Sequence, residues 1–317
     1  MKLPELRIGH LVARLPIIQG GMAVRISTAR LAGAVAAQGG IGLIAASGMT
    51  LDELRQEIRL ARSLAAGGII GINAMVAARV FSSLVQTAIE EGIDLVVAGA
   101  GFSRDMFGMG KESGTPIVPI VSSVKLAKIS EALGATAIVV EGKEAGGHLG
   151  TDQPLKSILP DIKKAVKIPV IGAGGIINGR DIVETLKLGA DGVQMGTRFM
   201  ASEESNAGPS LKEFYLKAKP EDVVLIKSPV GLPGRAVKNP YAAKIIEGTV
   251  AIPDSCDGCL KHCARNFCIV KALIRAQQGD VETGLVFTGE YIHRIDEILP
   301  VKEIFARLLN EVEEINI

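Results

Sequence analysis

The sequence predicts a closed (β/α)8 barrel, the TIM-barrel fold of the α/β class. Eight short apolar runs alternate with helix-period segments between residues 15 and 197, a pattern typical of parallel βαβ units. Small aliphatic residues dominate the apolar content and aromatics make up only 3%, which suits strands buried on both faces. A doubly wound open sheet is the alternative, because counting strands does not show closure.

The eight predicted strands follow one another at short, regular intervals. They are residues 15–21, 40–47, 68–76, 93–101, 115–121, 135–142, 168–175 and 190–197. Segments such as LDELRQEIRLARSL (51–64) and VKLAKISEALG (124–134) lie between them. Their apolar positions recur every three to four residues, which predicts amphipathic helices.

The alternation of strands and helices stops near residue 198. SEESNAGPSLKEF (202–214) predicts a loop that leads into a helix, and KSPVGLPGRAVKNPYA (227–242) is Pro/Gly-rich and predicted to be irregular. Further helices are predicted near 268–278 and 296–313. We expect three parts, namely a barrel over 1–245, an inserted four-cysteine segment over 246–277, and a C-terminal helical segment over 278–317 that packs on the barrel.

Composition argues against several classes of partner. The chain has 35 Lys and Arg against 34 Asp and Glu without a basic cluster, so neither nucleic acid nor a membrane surface is expected. Arg14 and Pro16 interrupt the N-terminal apolar run, and no run approaches the roughly 20 residues of a membrane span. The prediction is a cytoplasmic protein, in which clustered cysteines are more often ligands or redox groups than disulfides.

Glycines follow the seventh and eighth predicted strands, in GAGGI and MGT. The loops after strands seven and eight of a barrel commonly bind phosphate, because backbone N–H groups without side chains beside them can approach an anion. Glycine that merely ends a strand is the plainer reading of any one of these positions. Together they predict a phosphate-bearing substrate or cofactor, such as flavin mononucleotide (FMN).

Four motifs in this order and spacing carry a family resemblance. PIIQGGM (16–22), EGKEAGGHLGT (141–151), PVIGAGGIINGRDI (169–182) and LGADGVQMGTRFM (188–200) resemble the nitronate monooxygenase (2-nitropropane dioxygenase) superfamily. ESNAGP, GRAVKN and GDVETG further along are similar to its enoyl-acyl-carrier-protein reductase II branch. The resemblance covers residues 10–245 and resumes near 277.

The resemblance implies an FMN-binding TIM barrel. The phosphate would lie on Gly174, Gly175, Gly196 and Thr197, and the flavin ring over the loop after the first strand. The cofactor contacts that it implies are Gly20, Gly21, Met22, Asn73, Glu141, Gly146, Gly147, Ala173, Gly174, Gly175, Gln194, Met195, Gly196 and Thr197. The donor implied for the reductase branch is NAD(P)H.

His148 is the candidate catalytic residue. It follows a strand end and two glycines that let a ligand approach the backbone, and it occupies the position of the family's active-site histidine. A histidine that titrates near neutrality suits proton transfer at the substrate carbon beside the flavin. Glu141 and Glu144 flank it. One of them is expected to orient the imidazole or to contact the ribityl chain, although Glu144 reads equally well as a solvated loop charge.

All four cysteines of the chain fall between residues 256 and 268. Cys256, Cys259, Cys263 and Cys268 have the spacing C-x2-C-x3-C-x4-C, which has no counterpart in the resembled family. Structural zinc prefers two C-x2-C pairs that are well separated, whereas a [4Fe–4S] cluster is often held by closely spaced cysteines on one loop. The spacing favours the iron–sulfur cluster, with zinc and free or disulfide-bonded thiols as alternatives.

Three functions follow from these observations. The leading hypothesis is an FMN enzyme that reduces an activated, enoyl-type double bond, with an iron–sulfur cluster that passes electrons to or from the flavin. The alternatives are a nitronate monooxygenase that uses O2 and an FMN/iron–sulfur electron-transfer or redox-sensing subunit. The partners expected are a small-molecule or acyl-thioester substrate, a ferredoxin-type electron carrier and a second copy of the chain in a homodimer.

Overall fold

The computed structural model describes residues 3–253 and 255–315, and it contains the closed barrel that the sequence predicts. Eight parallel strands pair in a ring that returns to its first strand. The strands in chain order are β1 (Leu6–Ile8), β2 (Leu11–Ala13), β3 (Ile17–Gln19), β4 (Ile41–Ala45), β5 (Ile69–Met75), β6 (Leu95–Gly99), β7 (Ile117–Val121), β8 (Ile138–Glu141), β9 (Gly147–His148), β10 (Val170–Ala173), β11 (Gly192–Met195), β12 (Val223–Lys227) and β13 (Pro233–Val237). The barrel order is β3-β4-β5-β6-β7-β8-β10-β11, and each of these strands falls within one predicted run. The predicted fold class is confirmed.

Helices follow most of the barrel strands. They are α1 (Ala29–Ala37), α2 (Leu51–Leu64), α3 (Phe81–Glu90), α4 (Asp105–Ser113), α5 (Val124–Leu133), α6 (Leu155–Ala165), α7 (Gly179–Lys187), α8 (Thr197–Met200), α9 (Pro209–Leu216), α10 (Pro240–Glu247), α11 (Ile269–Gln277) and α12 (Val301–Glu314). Two short 3-10 turns lie at Pro220–Asp222 and Ile292–Arg294. In the described part of the chain, none of these helices has the length and apolarity needed to cross a membrane.

The barrel interior is filled by alternate residues of its strands. Ile18, Leu43 and Val97 point inward, while their neighbours along each strand pack against the surrounding helices. This alternation follows from the two-residue period of a strand. The hairpin of β1 and β2 adds Leu6 and Ile8 to the same interior cluster, so it closes the end of the barrel at which the strands begin.

Helix α12 completes the ring of helices. Helix α8, which directly follows the last barrel strand, has only four residues. Helix α12 instead packs against α7 and α1, where the Glu311 carboxylate accepts the backbone N–H of Gly179 at 2.5 Å. Phe305 is buried there, with its ring centroid 5.8 Å from that of Phe199. The chain between residues 196 and 300 therefore forms one long excursion before the barrel is complete.

The predicted irregular segment at 227–242 is wrong in part. Strand β13 lies between β12 and β9 in a three-stranded antiparallel sheet, and α10 begins at Pro240. Pro233 is the first residue of its strand, a position where proline is tolerated. Gly234 leaves room for Phe287, because a Cβ there would lie 2.9 Å from that ring. Proline and glycine are typical of loops in a sequence, but here both residues lie in the sheet.

Substituting Phe305 with alanine tests whether α12 is part of the barrel. Removing a buried aromatic ring leaves a cavity, and we expect a loss of about 3–5 kcal/mol in the free energy of unfolding, measured in urea. Asn310→Ala, on the exposed side of the same helix, is the control and is expected to change stability by less than about 0.5 kcal/mol. Equal stabilities of the two variants would contradict this account of the helix.

Candidate active site

A large cavity opens at the carboxyl ends of the barrel strands. Its volume is about 780 Å³, and its walls include all fourteen residues predicted to contact a cofactor, together with His148. The walls also include residues 257–260 of the cysteine-rich region and part of α11. The barrel thus brings together side chains from positions 20 to 197, as expected where parallel strands end at one rim.

The loop after β3 forms one side of the cavity, and hydrogen bonds of the Gln19 side chain hold it in place. This buried amide donates to the Ser27 hydroxyl at 2.9 Å and accepts the Leu43 N–H at 3.1 Å. Gly21 lies against Asn73, since a Cβ on the glycine would come within 2.3 Å of the Asn73 Cβ. Only glycine permits this approach. Apart from its place at the end of a predicted strand, nothing in the sequence marks Gln19 for this role.

The two glycine turns predicted for phosphate binding lie in the same cavity. Gly174 and Gly175 have φ values of +109° and +73°, a left-handed backbone that favours glycine. Gly196 faces open space, because the nearest atom to an added Cβ would be the Met22 Sδ at 3.9 Å. The Thr197 hydroxyl accepts the Gly289 N–H at 3.0 Å, so a residue of the long excursion also supports this end.

Gln194 presents a buried acceptor without a partner. Its Oε1 atom has no hydrogen bond in the structure, and the side chain lines the cavity. A buried carbonyl oxygen left unpaired is costly, so a ligand N–H is the natural partner. A flavin ring carries such an N–H and its phosphate suits the glycine turns. The residues therefore fit the FMN that the resemblance implies.

His148 lies at the mouth of the cavity on β9. Its Nε2 atom is 2.8 Å from the Ser228 hydroxyl, and its ring meets the edge of Phe287 with centroids 5.3 Å apart. Burial lowers the pKa of His148 to about 4. The expectation of near-neutral titration is therefore wrong: the imidazole is neutral at pH 7, because desolvation disfavours the charged ring.

Ser228 is a partner of His148 that the sequence did not reveal. It follows β12, and its hydroxyl accepts the Val230 N–H at 3.3 Å. A hydroxyl can donate or accept in its bond to His148; with Ser228 as the donor to Nε2, the imidazole carries its proton on Nδ1. No motif marks this serine, because the hairpin that positions it was not expected from its Pro and Gly content.

The two glutamates beside His148 have different environments. The Glu144 carboxylate is buried and accepts the Leu155 N–H at 3.0 Å, so it is not a solvated loop charge. It anchors the start of α6 to the loop after β8. Glu141 lies at the end of β8 and lines the cavity, where burial raises the pKa of its carboxyl to about 8. The partner of the His148 imidazole is Ser228 rather than either glutamate.

Arg235 holds the loop that carries His148. Its guanidinium donates to the backbone oxygens of Lys143 at 2.7 Å and Ala145 at 3.2 Å, and it lies 3.4 Å from the Glu290 carboxylate. Arg235 is buried on β13. It belongs to the GRAVKN motif, which is similar to the reductase branch of the family. The sequence alone predicts no role for this arginine.

The four cysteines lie beside the cavity as free thiols. Cys259 contributes to the cavity wall, Cys256 is exposed, and Cys263 and Cys268 are half-buried. Within residues 3–253 and 255–315, no three His, Cys, Asp or Glu side chains converge as ligands for a metal ion. The predicted iron–sulfur cluster and the zinc alternative therefore stay predictions.

A TIM barrel with this cavity and these glycine turns has the features of a flavin-binding oxidoreductase site. Comparison with known proteins identifies the family. The sequence profile of the family "Nitronate monooxygenase" matches residues 5–311. The chain therefore belongs to the nitronate monooxygenase family, and the predicted resemblance is confirmed.

Relatives with several different named activities are similar to this chain. FabK from Thermotoga maritima superposes with a TM-score of 0.86 at 37% identity, over 95% of this chain and 93% of that one. Nitroalkane oxidase from Streptomyces ansochromogenes gives 0.81 at 25% identity, over 96% and 97%. A protein of Mycobacterium tuberculosis named (3aS,4S,5R,7aS)-5-hydroxy-7a-methyl-1-oxo-octahydro-1H-indene-4-carboxyl-CoA dehydrogenase is 33% identical over 74% of this chain and 66% of its own length. A Staphylococcus aureus protein named "Probable nitronate monooxygenase" is 27% identical over 95% of both chains.

Glu141→Gln tests the raised pKa of this carboxyl in the flavin-free protein. The folded pKa of about 8 lies above the ordinary value of 4.5, so between these pH values the folded state holds a proton that the unfolded state has lost. Its contribution to stability is present below pH 4.5 and is lost as the pH rises through about 8. Glutamine does not titrate, so we expect the variant to gain stability relative to the parent from pH 5 to pH 8 in urea unfolding. Exposed Glu247→Gln is the control, and parallel profiles for the parent and Glu141→Gln would contradict the assignment.

Proposed function

We propose that the protein is an FMN-dependent oxidoreductase that reduces a carbon–carbon double bond conjugated to a thioester carbonyl. The observation that carries this proposal is the similarity to FabK over 95% of the chain, at higher identity than the nitroalkane oxidase and the Staphylococcus aureus relative. The similarity to a carboxyl-CoA dehydrogenase also supports a thioester substrate.

The cavity walls supply contacts for both ends of FMN. The glycine turns at Gly174, Gly175 and Gly196 offer backbone N–H groups to the phosphate, and Gln194 offers its unpaired oxygen to the ring. A bound FMN would supply hydride chemistry at the β-carbon of the double bond. A donor would provide two electrons and two protons would be taken up, one of them at the α-carbon, so that the reduction balances.

His148 polarises the substrate in this proposal. A neutral imidazole with its proton on Nδ1 donates a hydrogen bond without first gaining a charge, as suits a pKa of about 4. Negative charge builds on the thioester oxygen as the hydride arrives, and a positioned donor stabilises it. In this proposal Ser228 donates to Nε2 and so keeps the imidazole proton on Nδ1. Proton transfer from His148 itself is thereby disfavoured near neutral pH.

Nitronate oxidation with O2 is the second candidate function. The family profile and the Staphylococcus aureus relative carry that name. The low pKa of His148 keeps the imidazole unprotonated over the physiological range, but it also makes the ring a weak base for removal of a proton from carbon. Nitronate oxidation consumes O2, whereas the proposed reduction does not use it.

Two series of assays, one without oxygen and one with it, distinguish the two functions. The purified protein is given crotonyl-CoA with NADH, NADPH or reduced ferredoxin in one series, and propyl-2-nitronate with O2 in the other. Reduction of crotonyl-CoA that is faster than nitronate consumption supports the proposed reductase. Nitronate turnover with no thioester reduction from any donor would refute it in favour of the oxygenase.

Gly196→Asp tests the phosphate position. The φ of −103° at this residue is open to any side chain, and the new carboxylate would enter the cavity beside the phosphate. Like charges at this distance repel strongly in a partly dry site, so we expect more than about tenfold less FMN in the folded protein. Gly108→Asp, exposed on α4, adds the same charge elsewhere and is expected to keep its FMN. Retention of full FMN by Gly196→Asp, read by absorbance after desalting, would place the phosphate elsewhere.

His148→Ala tests the role of the imidazole. Loss of one positioned donor is expected to lower kcat by about 10²–10³ with FMN still bound. The kcat of the parent enzyme is expected to show no inflection from this group between about pH 5.5 and pH 7.5, because its pKa is about 4. His10→Ala, exposed at the opposite end of the barrel, is the control. An inflection near pH 6.5 that disappears in His148→Ala would show a titrating acid instead of a neutral donor.

A further inference from the structure

The four thiols lie on a segment that is tied to the rim of the cavity. We call residues 255–268 the cysteine segment. The Arg79 N–H donates to the Cys259 carbonyl oxygen at 2.9 Å, and the Lys261 N–H donates to the Ala77 carbonyl oxygen at 2.9 Å. These two bonds flank an antiparallel bridge between Ala78 and Leu260, whose side chain is buried. The first half of the cysteine segment is thus fixed to the loop that follows β5.

The second half of the segment is fixed to the hairpin of β12 and β13. The Ala264 N–H donates to the Pro229 carbonyl oxygen at 2.9 Å. Phe267 is buried, with its ring 6.1 Å from that of Tyr241 in an edge-on contact. Cys268 follows directly at the N-cap position of α11, where its side chain makes no capping hydrogen bond, and residues of α11 also line the cavity. The segment is therefore anchored at residues 259–261 and again at Ala264 and Phe267, and Cys263 lies between these two anchors.

The backbone of the loop turns sharply between the cysteines. Gly258 and Arg265 both adopt left-handed conformations, with φ values of +61° and +55°. The first lies between Cys256 and Cys259, and the second between Cys263 and Cys268. The chain therefore changes direction between successive cysteines instead of running extended from Cys256 to Cys268.

The four thiols lie within thirteen consecutive residues of one segment. In the described part of the chain they do not converge on a common point by themselves. The anchors of the segment are backbone bonds and the buried side chains of Leu260 and Phe267, and none of these anchors uses a sulfur atom. Metal binding deprotonates its thiol ligands and folds the surrounding loop, which is how the four side chains would come together here.

The charge around the segment suits an anionic metal centre. Residues 255–271 contain Lys261, Arg265 and Lys271 against the single acid Asp257, and Arg79 lies beside Gly258. A cluster with four thiolate ligands carries net negative charge, which these cations offset. The same exposed cations suit the docking of an acidic one-electron carrier protein.

We propose that Cys256, Cys259, Cys263 and Cys268 bind one [4Fe–4S] cluster in the wall of the flavin cavity. The position follows from Gly258, Cys259 and Leu260, which line the same cavity as the glycine turns. The close spacing on a single loop distinguishes this ligand set from the separated pairs typical of zinc. Binding of the cluster stands on its own, whereas its use as an electron relay rests on the proposed function.

The relay supplies the electrons that the proposed reduction consumes. An acidic carrier of the ferredoxin class is oxidised by one electron in each encounter, and two encounters provide the two electrons of one hydride. The proton of that hydride and the proton taken up at the α-carbon come from water. The substrate gains two electrons and two protons, and two carrier molecules are oxidised, so the reaction balances.

Iron and acid-labile sulfide in the full chain, purified without oxygen, test the site. We expect about four of each per chain, broad absorbance near 400 nm beyond that of FMN, and a reduced-cluster signal in electron paramagnetic resonance. Cys259→Ser and Cys263→Ser are expected to lose most of the iron and to keep FMN. Ser255→Ala, in the same segment without a thiol change, is the control and is expected to keep both.

The relay is tested on the bound flavin itself. Reduced ferredoxin is mixed with each protein and bleaching of the flavin is followed in stopped flow. We expect Cys263→Ser, which changes a proposed ligand outside the cavity wall, to slow this bleaching by more than about tenfold relative to Ser255→Ala, while photochemical reduction of its flavin stays normal. Equal rates in the two variants would overturn the relay.

Metal analysis separates failure of the site from failure of the proposed function. Stoichiometric zinc without iron and sulfide, or no bound metal at all, would overturn the cluster, whatever the enzyme reduces. A cluster in a protein that reduces no thioester would leave the site standing and refute the reductase instead.

Discussion

Closure of eight parallel strands is the constraint on which the rest of the molecule depends. A closed sheet has no free edge, so each strand must bury one face inside the barrel and the other beneath the helices. Closure also places all eight carboxyl ends at one rim. Residues as distant in the chain as Gly20, Asn73, Glu141, Gly174 and Gln194 become neighbours for this reason alone. The catalytic cavity is thus a geometric result of the sheet before it is a matter of side-chain chemistry.

The strands and the glycine turns could be predicted because local sequence determines them. Short apolar runs and Gly-rich strand ends are readable by eye, and all of the expected cofactor contacts line one cavity. The environment of His148 could not be predicted in the same way. Its pKa depends on burial, and its orientation depends on Phe287 and on a bond to Ser228, which lies 80 positions away in the chain. The roles of Gln19 and Arg235 could not be predicted for the same reason, because both side chains bond to backbone groups that are distant in the sequence.

The long excursion between β11 and α12 gives this barrel its individual character. It provides Ser228 and Arg235, which fix the histidine loop, and Gly289, which supports the turn at Thr197. It also carries the cysteine segment to the rim. The rim of this barrel therefore takes several of its residues from one connection and not from the eight strands.

The position of α12 has a consequence for how the chain folds during synthesis. The helix that covers the gap between α7 and α1 is made only after the ribosome has translated residues 196–300. Until then, a nascent barrel with all of its strands leaves the apolar sides of those two helices exposed to water. Exposed apolar surface on a folding intermediate promotes association with other chains. The apolar surface of α7 and α1 must therefore be shielded until α12 is made. A bound chaperone, or delayed closure of the first and last strands, would provide this protection.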